Sequence, residues 1–164
     1  MDEARKLSAD DKPEWRFQSL VAVAEATGDA ADLDAATALL DGDLGDQKVS
    51  PWLVYRLVLA AVKLGQADRV LHLAGRVTDP GLKAVAQLQA VRLRLEGAKD
   101  KAGDGVLDGI DGGPLSQALG REWLARHNAR HDSGTLKAAE GWDEAVRPFG
   151  LLGAVLGGQD AKGK

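Results

Sequence analysis

Apolar residues along this chain recur at the spacing of helices, and the alternation typical of strands is rare. In the segment 67–78, Val70, Ala74 and Val77 lie four and then three residues apart, which places them on one face of a helix. The segment 51–64 is apolar on nearly every side, which is typical of a helix covered by neighbours on both flanks. The pattern therefore predicts an all-α protein.

Prolines divide the chain at nearly regular intervals. They stand at Pro13, Pro51, Pro80, Pro114 and Pro148, so that successive spacings are 38, 29, 34 and 34 residues. Proline is favoured in the first turn of a helix, where its missing N–H has no partner to lose. We expect each proline to mark a helix start within a repeat of about 34 residues.

Glycines are expected to close the first helix of three units in the left-handed conformation, at Gly28, Gly65 and Gly97. A shorter second helix follows each one. The predicted first helices are 13–27, 51–64, 80–96 and 114–131, and the predicted second helices are 30–40, 67–78, 99–109 and 136–147. The segment 148–157 is expected to form a terminal cap, with Gly153 and Gly157 allowing close helix packing.

The first two units share residues when one is shifted by 37 positions onto the other, which pairs Trp15 with Trp52 and Gly28 with Gly65. Because these tryptophans recur near helix starts, we interpret all four, Trp15, Trp52, Trp123 and Trp142, as interhelical packing residues rather than stacking platforms.

The stretch from Pro51 to Pro80 resembles a tetratricopeptide unit, with an early Trp52, Tyr55 three residues later, Gly65 at the turn and the sequence Ala-Asp-Arg-Val from Ala67. The resemblance implies a right-handed superhelix of antiparallel helix hairpins, of about four units plus a C-terminal capping helix. It also implies peptide or protein binding in the concave face. The family's carboxylate clamp uses several asparagines, whereas this chain has only Asn128, so the clamp is not carried over.

The resemblance covers roughly residues 13–147. With the terminal cap, we expect one repeat domain at 13–157, flanked by a charged extension at 1–12 and a flexible polar tail at 158–164. No apolar run reaches the roughly 18 residues that span a bilayer, and the start lacks the apolar middle of a signal peptide. We expect no membrane partner and take a cytoplasmic location as the default. With no cysteine, the chain offers no disulfide, thiolate metal site or cysteine nucleophile.

Charge is distributed unevenly between the two classes of predicted helix. The first helices carry nine basic residues against four acidic ones, whereas acidic residues outnumber basic ones in the second-helix segments. Since first helices line the concave face of such a stack, we predict a basic groove for an acidic peptide, formed by Arg56, Lys63, Arg92, Arg94, Arg121 and Arg126. Pairing of these cations with neighbouring carboxylates is the alternative interpretation. The net charge of −4 argues against a nucleic-acid partner.

His127 and His131 are four residues apart and so share a helix face, a spacing that can supply two ligands to one metal ion. Two imidazoles do not complete a site, and no HExxH motif is present, so we favour a solvated helix end. The glycine-rich stretches lack the ending of a phosphate loop. We therefore expect no enzyme and no cofactor.

The leading hypothesis is a non-catalytic scaffold that binds a peptide or protein segment. One alternative is a segment of a larger helical solenoid that self-associates through its end repeats. The other is a metal-binding protein or small metalloenzyme that uses His127 and His131.

Overall fold

The computed structural model describes residues 12–45 and 47–162, and within these ranges the secondary structure is helical without strands. The helices are α1 (Pro13–Thr27), α2 (Ala30–Asp41), α3 (Pro51–Lys63), α4 (Ala67–Arg76), α5 (Pro80–Gly97), α6 (Pro114–Ala129), α7 (Thr135–Glu140) and α8 (Arg147–Lys162), with a 3₁₀ turn at Asp104–Leu107. The all-α prediction is confirmed. Apart from Lys12, the predicted extension 1–12 lies outside the described residues. The superhelix stays a prediction.

The chain forms two compact units. The division between them along the sequence falls between Ala86 and Gln87, within α5. In the first unit, α1 pairs with α2 and α3 pairs with α4, while α3 also packs against α1 and α2. The short loops within each pair make the paired helices antiparallel neighbours. The largest fully buried side chains of this unit are Phe17, Val21, Leu33, Leu40, Leu44, Val54, Leu57, Val58, Val70 and Leu73.

Helix ends in the first unit follow the expected glycine chemistry. Gly28 and Gly65 have φ angles of 63° and 68°, a left-handed conformation that costs glycine little because it has no Cβ. Gly97 was also expected to close its helix in the left-handed conformation, and this expectation is wrong. Its φ angle is not positive, and it is the last residue of α5.

The second unit is built around a cluster of buried side chains from α5, α6 and the loop between them: Val91, Leu95, Leu107, Ile110 and Leu124. The loop contains a single 3₁₀ turn, at Asp104–Leu107, and no α-helix, so the predicted second helix at 99–109 is wrong. Five glycines between positions 103 and 113 disfavour a helix there, since each loses much backbone freedom.

Side chains of α5 and α6 form hydrogen bonds with the backbone of this loop, whose groups would have bonded to one another in a helix. Gln87 donates to the carbonyl of Gly109 at 3.2 Å, and Arg94 donates to the carbonyl of Asp108 at 2.9 Å. Asn128 bonds both the N–H and the carbonyl of Ala102. Side chains of the neighbouring helices therefore supply hydrogen-bond partners to several backbone groups of this loop.

The last predicted helices also differ from the structure. The predicted helix 136–147 is reduced to the six-residue α7, followed by a turn stabilised by Asp143, whose Oδ1 accepts from the N–H of Ala145 at 3.0 Å. The predicted cap 148–157 is α8, which begins at Arg147 and continues to Lys162. Residues 158–162, expected in a flexible polar tail, are thus helical; residues 163 and 164 lie outside the described part.

Glycines let α8 pack directly on the backbone of α6. A Cβ at Gly153 would lie 2.1 Å from the carbonyl oxygen of Glu122, and one at Gly157 would lie 2.2 Å from that of Arg126. No side chain fits these gaps. The prediction that Gly153 and Gly157 allow close helix packing is confirmed.

The four tryptophans divide into two classes. Trp15 and Trp52 are 63% and 57% exposed, so their interpretation as packing residues is wrong. Trp123 and Trp142 are half-buried in the second unit, where Trp123 packs against the core cluster. No helix in the described ranges is long and apolar enough to cross a membrane.

Candidate functional site

Two of the predicted groove residues belong to the first unit. Arg56 of α3 is paired with Glu25 of α1, and its Nε lies 3.1 Å and 3.0 Å from the two carboxylate oxygens. Hydrogen bonding to Glu25 raises the pKa of Arg56 above its usual value, against the opposing effect of burial. Lys63 is exposed in the last turn of α3. Arg56 therefore links two helices.

Two predicted groove residues of the second unit also have local partners. Arg94 donates to the loop carbonyls of Val106 and Asp108. Arg121 lies 3.8 Å from a carboxylate oxygen of Asp104, and its guanidinium carbon lies 5.3 Å from the ring centre of Trp142. That stacking is a cation–π contact, so Arg121 packs as well as carries charge.

The other two predicted residues, Arg92 and Arg126, lie together in one cleft of the second unit. The cleft has a volume of about 550 Å³ and lies among the ends of α5, α6 and α8. Its charged and titratable lining comprises three arginines and two histidines against two carboxylates: Arg92, Arg126, Arg130, His127, His131, Glu96 and Asp160. Arginines therefore outnumber carboxylates in the cleft by three to two, and we call it the cationic cleft; the basic concave groove itself stays a prediction.

One carboxylate of α8 is shared by two arginines at the end of α6. Arg126 Nε donates to Asp160 Oδ2 at 3.1 Å, while Arg130 donates to the same oxygen from Nη2 at 2.7 Å and from Nε at 3.2 Å. The arginines are four residues apart, so they project from the same side of α6. This geometry is a receptor for one carboxylate.

Arginine N–H groups remain in excess of this carboxylate. Among the described residues, Nη1 and Nη2 of Arg126 form no hydrogen bond, although the residue lines the cleft. The partner of Arg92 is Glu96, whose Oε1 lies 3.5 Å from Nε, and both side chains are about half exposed. The cleft thus has donors left for a second anionic group.

Two carboxyl groups near this site have pKa values shifted in opposite directions. Hydrogen bonds from Arg130 and Arg126 hold the pKa of Asp160 below its usual value, so this carboxylate is ionised at neutral pH. Glu122, one turn before Arg126, is 8% exposed, and burial raises its pKa although the nearby Arg126 charge lowers it in part.

Apolar groups share the cleft lining with the charges. Leu95 and Ala98 come from the α5 side, Trp123 from α6 and Ala161 from α8. Because Trp123 also packs on the core cluster, its position is fixed. The cleft therefore pairs anion-binding groups with an apolar contact surface, a combination that suits a peptide side chain and the residues beside it.

The two histidines of the metal alternative are neighbours in this cleft. The ring centres of His127 and His131 are 5.0 Å apart, and Nε2 of His127 lies 2.9 Å from the carbonyl oxygen of Asp100. In residues 12–45 and 47–162, no group of three or more His, Asp or Glu side chains is placed to hold a metal ion.

Sequence reasoning missed Arg130, Trp123 and Asp160 as cleft residues. The spacing of Arg126 and Arg130 was a usable signal, because residues four apart share a helix face. Asp160 gave no such signal, since it falls in a segment expected to be a flexible tail.

Comparison with known proteins adds no relative to this picture: the chain matches no protein-family model, no curated protein and no solved structure.

Proposed function

We propose that this chain is a non-catalytic protein-interaction module that binds an acidic segment of another protein in the cationic cleft of its second unit. The observation that carries the proposal is the shared bonding of one carboxylate oxygen of Asp160 by Arg126 and Arg130. These arginines already hold a carboxylate at the cleft wall, so a carboxylate is the ligand chemistry that the site fits.

The surroundings of the two arginines favour a peptide over a lone anion. Trp123 and Leu95 supply apolar area beside the guanidinium groups, and tryptophan and arginine are the residues that most often dominate protein interfaces. Arg92 adds a third cation on the opposite α5 wall. An acidic side chain flanked by an apolar residue would contact both kinds of surface.

Of the six residues expected to form the groove, we keep Arg92 and Arg126, which line the cleft, as ligand-binding residues. Arg56, Arg94 and Arg121 serve chiefly to join their own elements, since each bonds or stacks on a neighbouring segment. The tetratricopeptide-like arrangement is also part of the proposal, and it is supported by the two consecutive helix pairs of the first unit.

The test measures binding of a short fluorescein-labelled peptide of alternating Glu and Ala by fluorescence anisotropy. We expect the double variant Arg126→Gln/Arg130→Gln to bind about tenfold or more weakly, because about 1.4 kcal/mol of binding energy corresponds to a factor of ten. A matched control, Arg16→Gln/Lys137→Gln, removes two exposed cations outside the cleft.

The control should retain binding within about twofold, because neither side chain lines the cleft and exposed surface charges are screened by salt. Equal losses in both double variants would show non-specific attraction and refute the cleft as the site. Absence of binding by the wild-type chain and by every variant would refute the proposed function.

A further inference from the structure

The end of α8 places the chain's own acidic residue in the cleft. Asp160 and Ala161 both line it, and Asp160 accepts hydrogen bonds from the arginines that we assign to the ligand. A partner carboxylate that bonds both arginines would use the donors that Asp160 uses, which are Nε of Arg126 and Nε and Nη2 of Arg130. Asp160 and that carboxylate cannot occupy these donors at once, although the Nη groups of Arg126 remain for a further anionic group.

This last turn of α8 is held less tightly than the rest of the helix. The close backbone contacts of α8 with α6 are made at Gly153 and Gly157, before this turn. The side chains of Gln159, Ala161 and Lys162 are exposed. Direct polar contact between this turn and α6 is made by Asp160.

The ion pairs of Asp160 are accessible to water, since the side chains of Asp160, Arg126 and Arg130 are 34%, 42% and 43% exposed. Pairs of this exposure contribute little net stability, because the partners are well solvated when apart. Opening of the last turn is therefore a low-cost local event, of the kind common at helix ends.

We infer that the last turn of α8 is an internal competitor for the cleft, and that an acidic helical segment of a partner binds by taking the place of Asp160. The inference rests on the proposed function. It also specifies the ligand: an acidic residue followed by a small apolar one on a helix, as in Asp160-Ala161.

Under competition, the apparent affinity equals the intrinsic affinity multiplied by the fraction of molecules in which the cleft is open. If Asp160 occupies the arginines in about 70–90% of molecules, the apparent affinity is reduced about three- to tenfold. Removing the Asp160 side chain should restore that factor, even though it deletes no contact with the ligand.

The experiment compares Asp160→Ala with Asp104→Ala, using the labelled peptide of alternating Glu and Ala. Both variants remove one ion-paired carboxylate from the second unit, and Asp104 is paired with Arg121 away from the cleft lining. We expect Asp160→Ala to bind the peptide about three- to tenfold more tightly and Asp104→Ala to change affinity less than twofold. An equal gain in both would mean a general charge effect and would overturn competition.

A second measurement detects displacement in the unmodified chain, so the result does not depend on how well the variant folds. Amide hydrogen exchange at residues 158–162 should become faster when the peptide is added, whereas exchange in α6 should slow. Unchanged or slower exchange at 158–162 with full peptide binding would overturn the inference and leave the proposed function standing.

The two hypotheses fail differently in these measurements. A wild-type chain that binds, with Asp160→Ala unchanged or weaker, refutes competition alone. A wild-type chain and an Asp160→Ala variant that both fail to bind refute the proposed function. Binding by Asp160→Ala alone supports both.

Discussion

Asn128 clamps the backbone of Ala102, accepting from its N–H at 2.7 Å and donating to its carbonyl at 2.9 Å. The side-chain amide of Asn128 thereby satisfies both backbone polar groups of Ala102. Had the predicted helix at 99–109 formed, backbone groups of that helix would have been the partners. The contact joins the end of α6 to the loop after α5, and Asn128 is only 7% exposed.

We expect Asn128→Ala to lower the free energy of unfolding by about 1–3 kcal/mol, because it leaves two partly buried backbone groups without partners. Urea denaturation followed by circular dichroism measures the change. Gln159→Ala, which removes an exposed amide from α8, should shift it by less than about 0.5 kcal/mol. A loss no larger for Asn128→Ala than for this control would contradict the role of the clamp.

The α6–α8 contact predicts opposite effects for neighbouring glycines. Gly153→Ala and Gly157→Ala should each cost about 1–3 kcal/mol or more, since the new methyl group would lie against a carbonyl oxygen of α6 and the helices must separate. Gly158→Ala should instead stabilise by about 0.5–1 kcal/mol, because there is open space and alanine favours the helix.

Thermal unfolding of the three glycine variants tests this contrast. A neutral Gly153→Ala or Gly157→Ala would show that the two helices are further apart than described, and a destabilised Gly158→Ala would show that the space beside Gly158 is occupied.

The first turn of α1 offers a comparison of two aromatic residues. Phe17 is fully buried, and Phe17→Ala should cost about 3–5 kcal/mol through the lost contacts and the cavity. Trp15 is 63% exposed, so Trp15→Ser should change the free energy of unfolding by less than about 0.5 kcal/mol. Similar losses for both, measured by urea denaturation, would restore the packing interpretation of Trp15.

Glu122 predicts a pH-dependent stability difference. Burial raises its pKa above 4.5, so the unfolded chain ionises first and folding stability falls as pH rises from that value through the folded pKa. Glu122→Gln should therefore raise the melting temperature at about pH 7, and the gain should vanish below about pH 4, where the carboxyl is neutral in both states.

Glu140→Gln on the exposed face of α7 serves as the control for Glu122→Gln and should not change the melting temperature at either pH. A gain from Glu122→Gln that persists undiminished in acid would rule out ionisation as its cause.

Salt should weaken binding of the Glu-Ala peptide if the arginine cleft attracts it. Raising the salt concentration from about 0.1 M to about 1 M shortens the Debye length from about 10 Å to about 3 Å. We expect affinity to fall about tenfold, with a shallower dependence in Arg126→Gln/Arg130→Gln. Tighter binding at high salt, in anisotropy titrations, would indicate that the apolar contact on Trp123 dominates instead.

Prolines and glycines were the residues from which most helix boundaries could be predicted from the sequence. Prolines located the starts of all four first helices, and left-handed glycines located the ends of the first two, because both residue types act through local backbone geometry. The second helices of the later units could not be placed in this way. The loop after α5 depends on Gln87, Arg94 and Asn128, which reach it from other helices, and such contacts have no local signature.

Of the candidate site, the sequence indicated two of the basic residues and did not indicate the cleft that they line. Arg92 and Arg126 followed from the excess of basic residues on the first helices. Their common cleft depends on how α8 folds back along α6, and that path is determined by Gly153 and Gly157 against backbone atoms. The position of Asp160 follows from this packing rather than from any motif around it.

The loop between α5 and α6 has an unusual consequence for engineering. Surface loops usually accept insertions, because their ends are the only parts that matter to the fold. Here Ala102, Asp108 and Gly109 are each bonded by a different helix side chain. The length of this loop is therefore fixed, and a tag or fused domain inserted into it would separate these residues from the helices that bond them.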